Sequence, residues 1–146
     1  MQDKIAQAQT MQLATVRNGQ PWICTVYFVL HAGNFYWLSF PTRRHSEELA
    51  ANPNAAIAIA LKTDVPVVGM QAEGDVRVVE DAAEVKVVLD LYVEKYGQGA
   101  RFAERFERGE NQHELYRFTP RTVMMFDEYT TPDASYRKIL LTQEEL

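Results

Sequence analysis

Cysteine is almost missing from this chain. Cys24 stands alone among 146 residues, so no intramolecular disulfide can form, and a reducing, cytoplasmic setting is expected. No apolar run approaches the ~20 residues that a membrane-spanning helix needs, and no charged-then-apolar leader opens the sequence. The three histidines, His31, His45 and His113, combine with Cys24 in neither i,i+4 nor C-x-x-C spacing, which excludes a metal site built from a local motif. Positive charge is also short. Lys and Arg number 15 against 20 Asp and Glu, and a net charge of −5 argues against general nucleic-acid binding, because counterion release needs many clustered cations.

What remains is a chain with 47% hydrophobic residues, large enough to bury a core without metal or disulfide, and short enough to be one domain over residues 1–146. Gln2 to Gln9 reads as a short helix. From Met11 to Arg17 the period becomes two, a strand, and Asn18-Gly19 is a strong hairpin signal. Trp22 to Leu30 is apolar on both faces and predicts a central strand covered on both sides. A turn at His31 to Asn34 leads into a strand from Phe35 to Phe40, which Pro41 ends. Thr42 is the expected N-cap of a helix from Arg43 to about Ala51, stopped by Asn52-Pro53.

Asn54 to Lys62 and Val65 to Glu80 follow as strands, with Gly74 marking a bulge or sharp bend in the second. Asp81 caps a helix whose apolar residues Val85, Val88, Leu89, Tyr92 and Val93 recur at three and four, and a shorter helix runs from Ala100 to Arg108. Glu114 to Pro120 and Thr122 to Phe126 read as two strands around a kink at Pro120, and Tyr136 to Leu141 as a last one. The fold class is therefore mainly β (α+β), an antiparallel β-barrel of six to seven strands with flanking helices.

The helix that starts near Arg43 is electrically reversed. Its first turn carries Arg43, Arg44 and His45 at the positive end of the macrodipole, where cations cost about 0.3–1 kcal/mol each. Two arrangements resolve the conflict: a phosphate held by the N–H groups, the Ser39 and Thr42 hydroxyls and the two guanidinium groups, or an ion-pair network with Glu47 and Glu48. Other chemistry is thinner. His45 and Ser46 are sequence neighbours on a helix and point apart, so they form no catalytic pair. Gly69 to Gly74 lacks the G-x-x-x-x-G-K pattern and lies within a strand, so it is no phosphate loop. Cys24, in an apolar strand with no cation beside it, reads as a small core residue before a reactive thiolate. Gln71 needs a partner for its amide, either a planar polar ligand or a loop.

The order of these parts resembles the pyridoxamine 5'-phosphate oxidase superfamily of FMN-binding split barrels. The residues that carry the resemblance are the Leu13 to Thr15 strand, the Gly19-Gln20-Pro21 turn, a strand ending in Ser39, a basic pair opening a helix that stops at Asn52-Pro53, and the Gln71 to Gly74 and Tyr116 to Pro120 strands. Length and the Thr42 to Ser46 motif are closest to the small uncharacterised members, not to the oxidase proper. The resemblance implies FMN as cofactor and a homodimer with flavin at its interface. It implies redox chemistry on a small molecule, with NAD(P)H a candidate donor, or else a carrier or sensor of flavin, deazaflavin or haem. It assigns the phosphate to Ser39, Arg44 and His45, with Arg43 as further support and Phe40 and Thr42 also expected at the cofactor, the ring to Cys24, Thr25 and Val26, and a further approach, often from the other subunit, to Gly69 and Gln71. Two positions depart from the family's pattern, His45 where a lysine is common and Cys24 where an arginine is common. Tyr136, Arg137 and Lys138 read either as groups reaching the ring or as a solvated edge.

Overall fold

The fold is described from a computed structural model that covers residues 2–97, 100–127, 139–141 and 146. A short helix, α1 (Gln2–Gln7), precedes β1 (Thr10–Arg17), and the Asn18-Gly19 turn, with both residues at positive φ (50° and 77°), returns the chain as β2 (Gln20–Tyr27). A primed two-residue turn of this kind matches strand twist, and it sets the full register from Thr10↔Tyr27 to Arg17↔Gln20. The chain then breaks at Phe28 and resumes as β3 (Val29–His31), which forms a hairpin with β4 (Asn34–Ser39).

Helix α2 (Arg44–Ala51) leads to β5 (Asn54–Lys62) and β6 (Val68–Val78). Asp81 caps α3 (Ala82–Tyr96) by accepting from the Glu84 N–H, and Gly97, in the left-handed region, closes it. Then come α4 (Ala100–Glu107), the long β7 (Glu114–Asp127) and β8 (Ile139–Leu141). The sheet runs β2-β1-β5-β6-β7-β4-β3, with β8 also on β7, and every pairing is antiparallel. It curls around a core of Met11, Leu13, Phe28, Phe35, Trp37, Ile57, Ile59, Met70 and Phe118. A second apolar cluster seats α3 on the outside of β3, β4 and β7 through Val29, Tyr36, Val88 and Leu115. No helix among the described residues is long and apolar enough to cross a membrane.

Three sequence expectations are corrected. The Trp22 to Leu30 run is neither one strand nor covered on both sides. β2 terminates the sheet's pairing path, and Trp22, Ile23 and Tyr27 are 40%, 61% and 63% exposed. An apolar run reports that a face avoids water, but not whether the chain's own residues provide the cover. The break at Phe28 is served by α3: Tyr96 Oη accepts from the Phe28 N–H (2.9 Å) and donates to the Phe28 carbonyl (2.6 Å), to which Lys95 Nζ also donates (2.8 Å). Second, the N-cap of α2 is Arg43, not Thr42, and no side chain caps it. Third, Pro120 does not divide β7. The extra residue, Arg121, is absorbed where Glu73 pairs with Thr122 and Gly74 with Pro120, so Gly74 marks the expected bulge. At Gly74 a Cβ would collide with the Thr119 carbonyl, which is why glycine stands there. Tyr136, Arg137 and Lys138 lie outside the described residues.

Candidate functional site

The first turn of α2 sends its consecutive side chains in different directions. Arg44 turns toward β1 and β2: its Nε donates to Glu48 Oε1 at 2.8 Å, and its guanidinium lies 4.1 Å from the centre of the Trp22 ring. Glu48 is 1% exposed and also accepts from the Thr15 hydroxyl, at 2.5 Å. The Thr15 bond and the Arg44 bond together hold the Glu48 carboxyl below the usual carboxylate range. One of the two ways to settle the reversed helix end is thus realised at Arg44. Arg43 is different. It stands exposed 5.8 Å over the Phe40 ring and makes no ion pair among the described residues.

His45 points the other way, into a cavity of 510 Å³ bounded by β2, β4, α3 and α4. There its Nε2 shares a 2.8 Å hydrogen bond with Ser39 Oγ. Burial pushes the His45 imidazole below its ordinary value, the Arg43 charge adds to this, and Glu48 opposes it. The ring is therefore neutral near pH 7. Thr25, Val26 and Tyr27 from β2 and Leu38 from β4 form one wall, and Leu89, Tyr92, Phe102 and Ala103 from the helices form the other. The cavity so joins four of the expected site residues, Thr25, Val26, Ser39 and His45.

A further polar group of the cavity, His113, is not singled out by the sequence as a ligand-facing residue. His113 Nδ1 and Asn111 Oδ1 are 2.6 Å apart, an arrangement in which the ring donates from Nδ1 and, when neutral, keeps Nε2 as an acceptor. Phe40 lies tilted against the imidazole at 3.9 Å between centroids, and Phe102 meets it edge-on at 5.1 Å. Burial, followed by Arg43, lowers the His113 pKa as well. Arg43 therefore acts electrostatically on both histidines of the cavity. Only the Asn111-x-His113 spacing hinted at this; nothing local in sequence joins His113 to His45.

The other expected residues lie elsewhere. Cys24 packs against the core, where burial and the Glu48 charge push its thiol pKa up, so it is no thiolate. Thr42 is exposed in the turn before α2. Gly69 and Gln71 are on β6, away from the cavity lining: Gly69 is covered by Phe126, into which a Cβ would run, and Gln71 is exposed on the outer sheet face. Gln71 pairs with Ala58, Ala58 with Gln12, and Gln12 with Thr25, whose hydroxyl donates to Gln12 Oε1 at 2.7 Å. One row across the outer face thus runs from Gln71 to the edge of the cavity.

Comparison with known proteins bears on fold and family. A conserved hypothetical protein from Mycobacterium tuberculosis superposes with a TM-score of 0.74 at 17% identity, covering 94% of this chain and 90% of that one. The haem storage protein HutZ from Vibrio cholerae gives 0.63 at 21%, covering 81% and 85%. A FAD-binding protein from Mesorhizobium loti gives 0.61 at 19%, covering 83% and 87%. At these identities the likeness is one of fold. No curated protein matches the sequence. The family model described as pyridoxamine 5'-phosphate oxidase matches residues 1–127, which agrees with the split barrel and with the order of its parts, and the chain belongs to that family.

Proposed function

We propose that the chain binds FMN in the 510 Å³ cavity and works as a flavin-dependent oxidoreductase on a small molecule, as a homodimer with flavin at its interface. The observation that carries this reading is the start of α2. Arg43 has no carboxylate partner among the described residues, and beside it stand the Ser39–His45 pair and the first-turn N–H groups of the helix. This is a donor set for one phosphate, joined to an apolar cavity within the range of small-molecule sites, about 300–1,000 Å³. The residues present therefore fit a phosphate-tailed planar ring. Arg43, Ser39 and His45 would hold the phosphate, and Thr25 and Val26 would lie along the ring.

When bound, the flavin supplies the two-electron chemistry. The protein's part is to anchor, to exclude water through Leu38, Leu89 and Phe102, and to offer hydrogen-bonding groups at Thr25 and His113. The uncovered face of β2, with Ile23 and Tyr27 exposed beside the cavity, is what a second copy would cover, and the FAD-binding neighbour agrees with a flavin on this fold. FMN titration followed by fluorescence quenching, with particle mass from light scattering, tests the reading. Saturable binding at one FMN per chain of a dimer, and oxidation of NAD(P)H by the loaded protein, is expected; a protein that leaves FMN fluorescence unchanged refutes it.

One observation favours a second reading, a haem carrier on the same cavity. His113, with Nδ1 held by Asn111, could hold haem iron through its Nε2, and HutZ is a haem storage protein. Haemin titration separates the two: a His113-dependent Soret shift with no FMN quenching would favour haem.

A further inference from the structure

A second cavity, of 410 Å³, lies on the other side of α2, between that helix and the β6–β7 pair. Glu114 and Tyr116 of β7 and Val76 and Val78 of β6 present one sheet face to it, and α2 presents Ser46 and Leu49. Strand alternation sends the side chains of Arg77 and its partner in register, Arg117, to the opposite face, where they meet Asp75 and Glu84. Of the charged residues that line the cavity, Glu114 alone therefore turns its side chain into it. The apolar cavity holds a carboxylate and no cation among the described residues.

The hydroxyl protons beside that carboxylate are already committed. Tyr116, stacked on Trp37 at 5.6 Å between centroids, donates from Oη to Glu114 Oε2 at 2.7 Å. Burial pushes this phenol up to about 12, with the Ser46 hydrogen bond opposing and Glu114 adding, so it keeps its proton. That one proton goes to Glu114, so buried Ser46 is the donor in its own hydrogen bond with Tyr116. The relay from Ser46 through Tyr116 ends on Glu114, whose Oε1 has no hydrogen bond or ion pair among the described residues. The cavity thus offers an acceptor and lacks a donor. A bound anion would find no proton to accept from these side chains. A metal ion would find too few ligands, because no group of three His, Cys, Asp or Glu able to hold one occurs among the described residues.

We infer that this cavity is a second binding site, for a small primary amine with an apolar body. The ammonium group donates to Glu114 Oε1, and the body lies on Leu49, Val76 and Val78. The volume is within the range of small-ligand sites, about 300–1,000 Å³. The two cavities share a wall, with His45 lining one and Ser46 the other, so the amine meets none of the groups assigned to the flavin. The site stands or falls independently of that reading.

The test is a ¹H–¹⁵N NMR titration of the whole chain with isopentylamine, with its neutral analogue isopentyl alcohol and with the anion isovalerate. The amine is expected to give saturable shifts at Ser46, Ala50 and Val78 that exceed those at Thr25 and Leu89. The alcohol is expected to bind at least about tenfold more weakly, and isovalerate to give no saturable shift. Glu114→Gln, which keeps an acceptor for Tyr116, should weaken the amine by a similar factor while preserving the spectrum. Glu47→Gln, on the same helix but outside the cavity, should leave amine binding within about twofold. The comparison of amine with alcohol needs no variant. The inference is overturned by the absence of saturable shifts up to about 10 mM amine, by shifts centred on Thr25 and Leu89, by an alcohol that binds as well as the amine, by Glu114→Gln binding the amine unchanged, or by Glu47→Gln weakening it as much.

Discussion

Arg43 and Arg44 are adjacent in sequence, and the structure gives them opposite roles that substitution separates. Arg43 makes no ion pair among the described residues, and its charge acts on His45 and His113 in the cavity. A charge-assisted hydrogen bond is worth about 1.5–3 kcal/mol, and because Arg43 is exposed the solvent-screened value is nearer about 1–2 kcal/mol. Arg43→Ala should therefore weaken FMN binding about fivefold to thirtyfold, with little effect on the urea midpoint. Arg44→Ala should do the reverse. Its Nε is engaged by buried Glu48 and its guanidinium by Trp22, so removal leaves a buried carboxylate short of a partner and lowers the urea midpoint. FMN affinity should stay within about twofold, as for sites with no shared partner. Fluorescence titration and urea unfolding of the two variants decide the matter. If Arg44→Ala loses FMN while Arg43→Ala keeps it, the phosphate is not where the free guanidinium is.

Other consequences follow from the same geometry. His45 is held neutral by burial and by Arg43, and a phosphate against its ring favours the imidazolium, so FMN binding near pH 7 should take up protons; calorimetry in two buffers of different ionisation enthalpy measures this, and His45→Gln should reduce it. The lowered pKa values of His45 and His113 also set a stability trend. As pH falls below the unfolded value near 6.5 the unfolded chain takes up protons that the folded chain refuses, so the urea midpoint should drop with pH through this window, and less so in His45→Gln and His113→Gln. Tyr96→Phe removes the hydroxyl that serves both the Phe28 N–H and the Phe28 carbonyl, and should cost about 1–3 kcal/mol in urea unfolding with an unchanged m-value.

Much of the fold was legible because local chemistry agreed with it. Asn18-Gly19 demanded a primed turn, Asp81 offered a carboxylate to the first turn of α3, and Gly74 marked a bulge. For β2 the sequence overstates the cover: its apolar residues are real, but periodicity cannot tell a face buried by the same chain from an exposed one. At the site, the charge conflict at the start of α2 was visible, and so was Glu48 four residues after Arg44. What sequence could not decide was which arginine would turn to that carboxylate, because this depends on β1 presenting Thr15 to Glu48 from below. The Ser39–His45 bond spans a strand end, a turn and a helix start, so no single periodicity predicts it. His113 is further from reach still, carried to the cavity by the loop between α4 and β7.

Comparison of FMN with riboflavin tests most directly whether the start of α2 takes a phosphate. The two share one ring system and differ in the phosphate. If Arg43, Ser39 and His45 hold that group, FMN should bind the wild-type chain at least about tenfold more tightly than riboflavin, and the gap should narrow in Arg43→Ala. Equal affinities for the two would contradict the account.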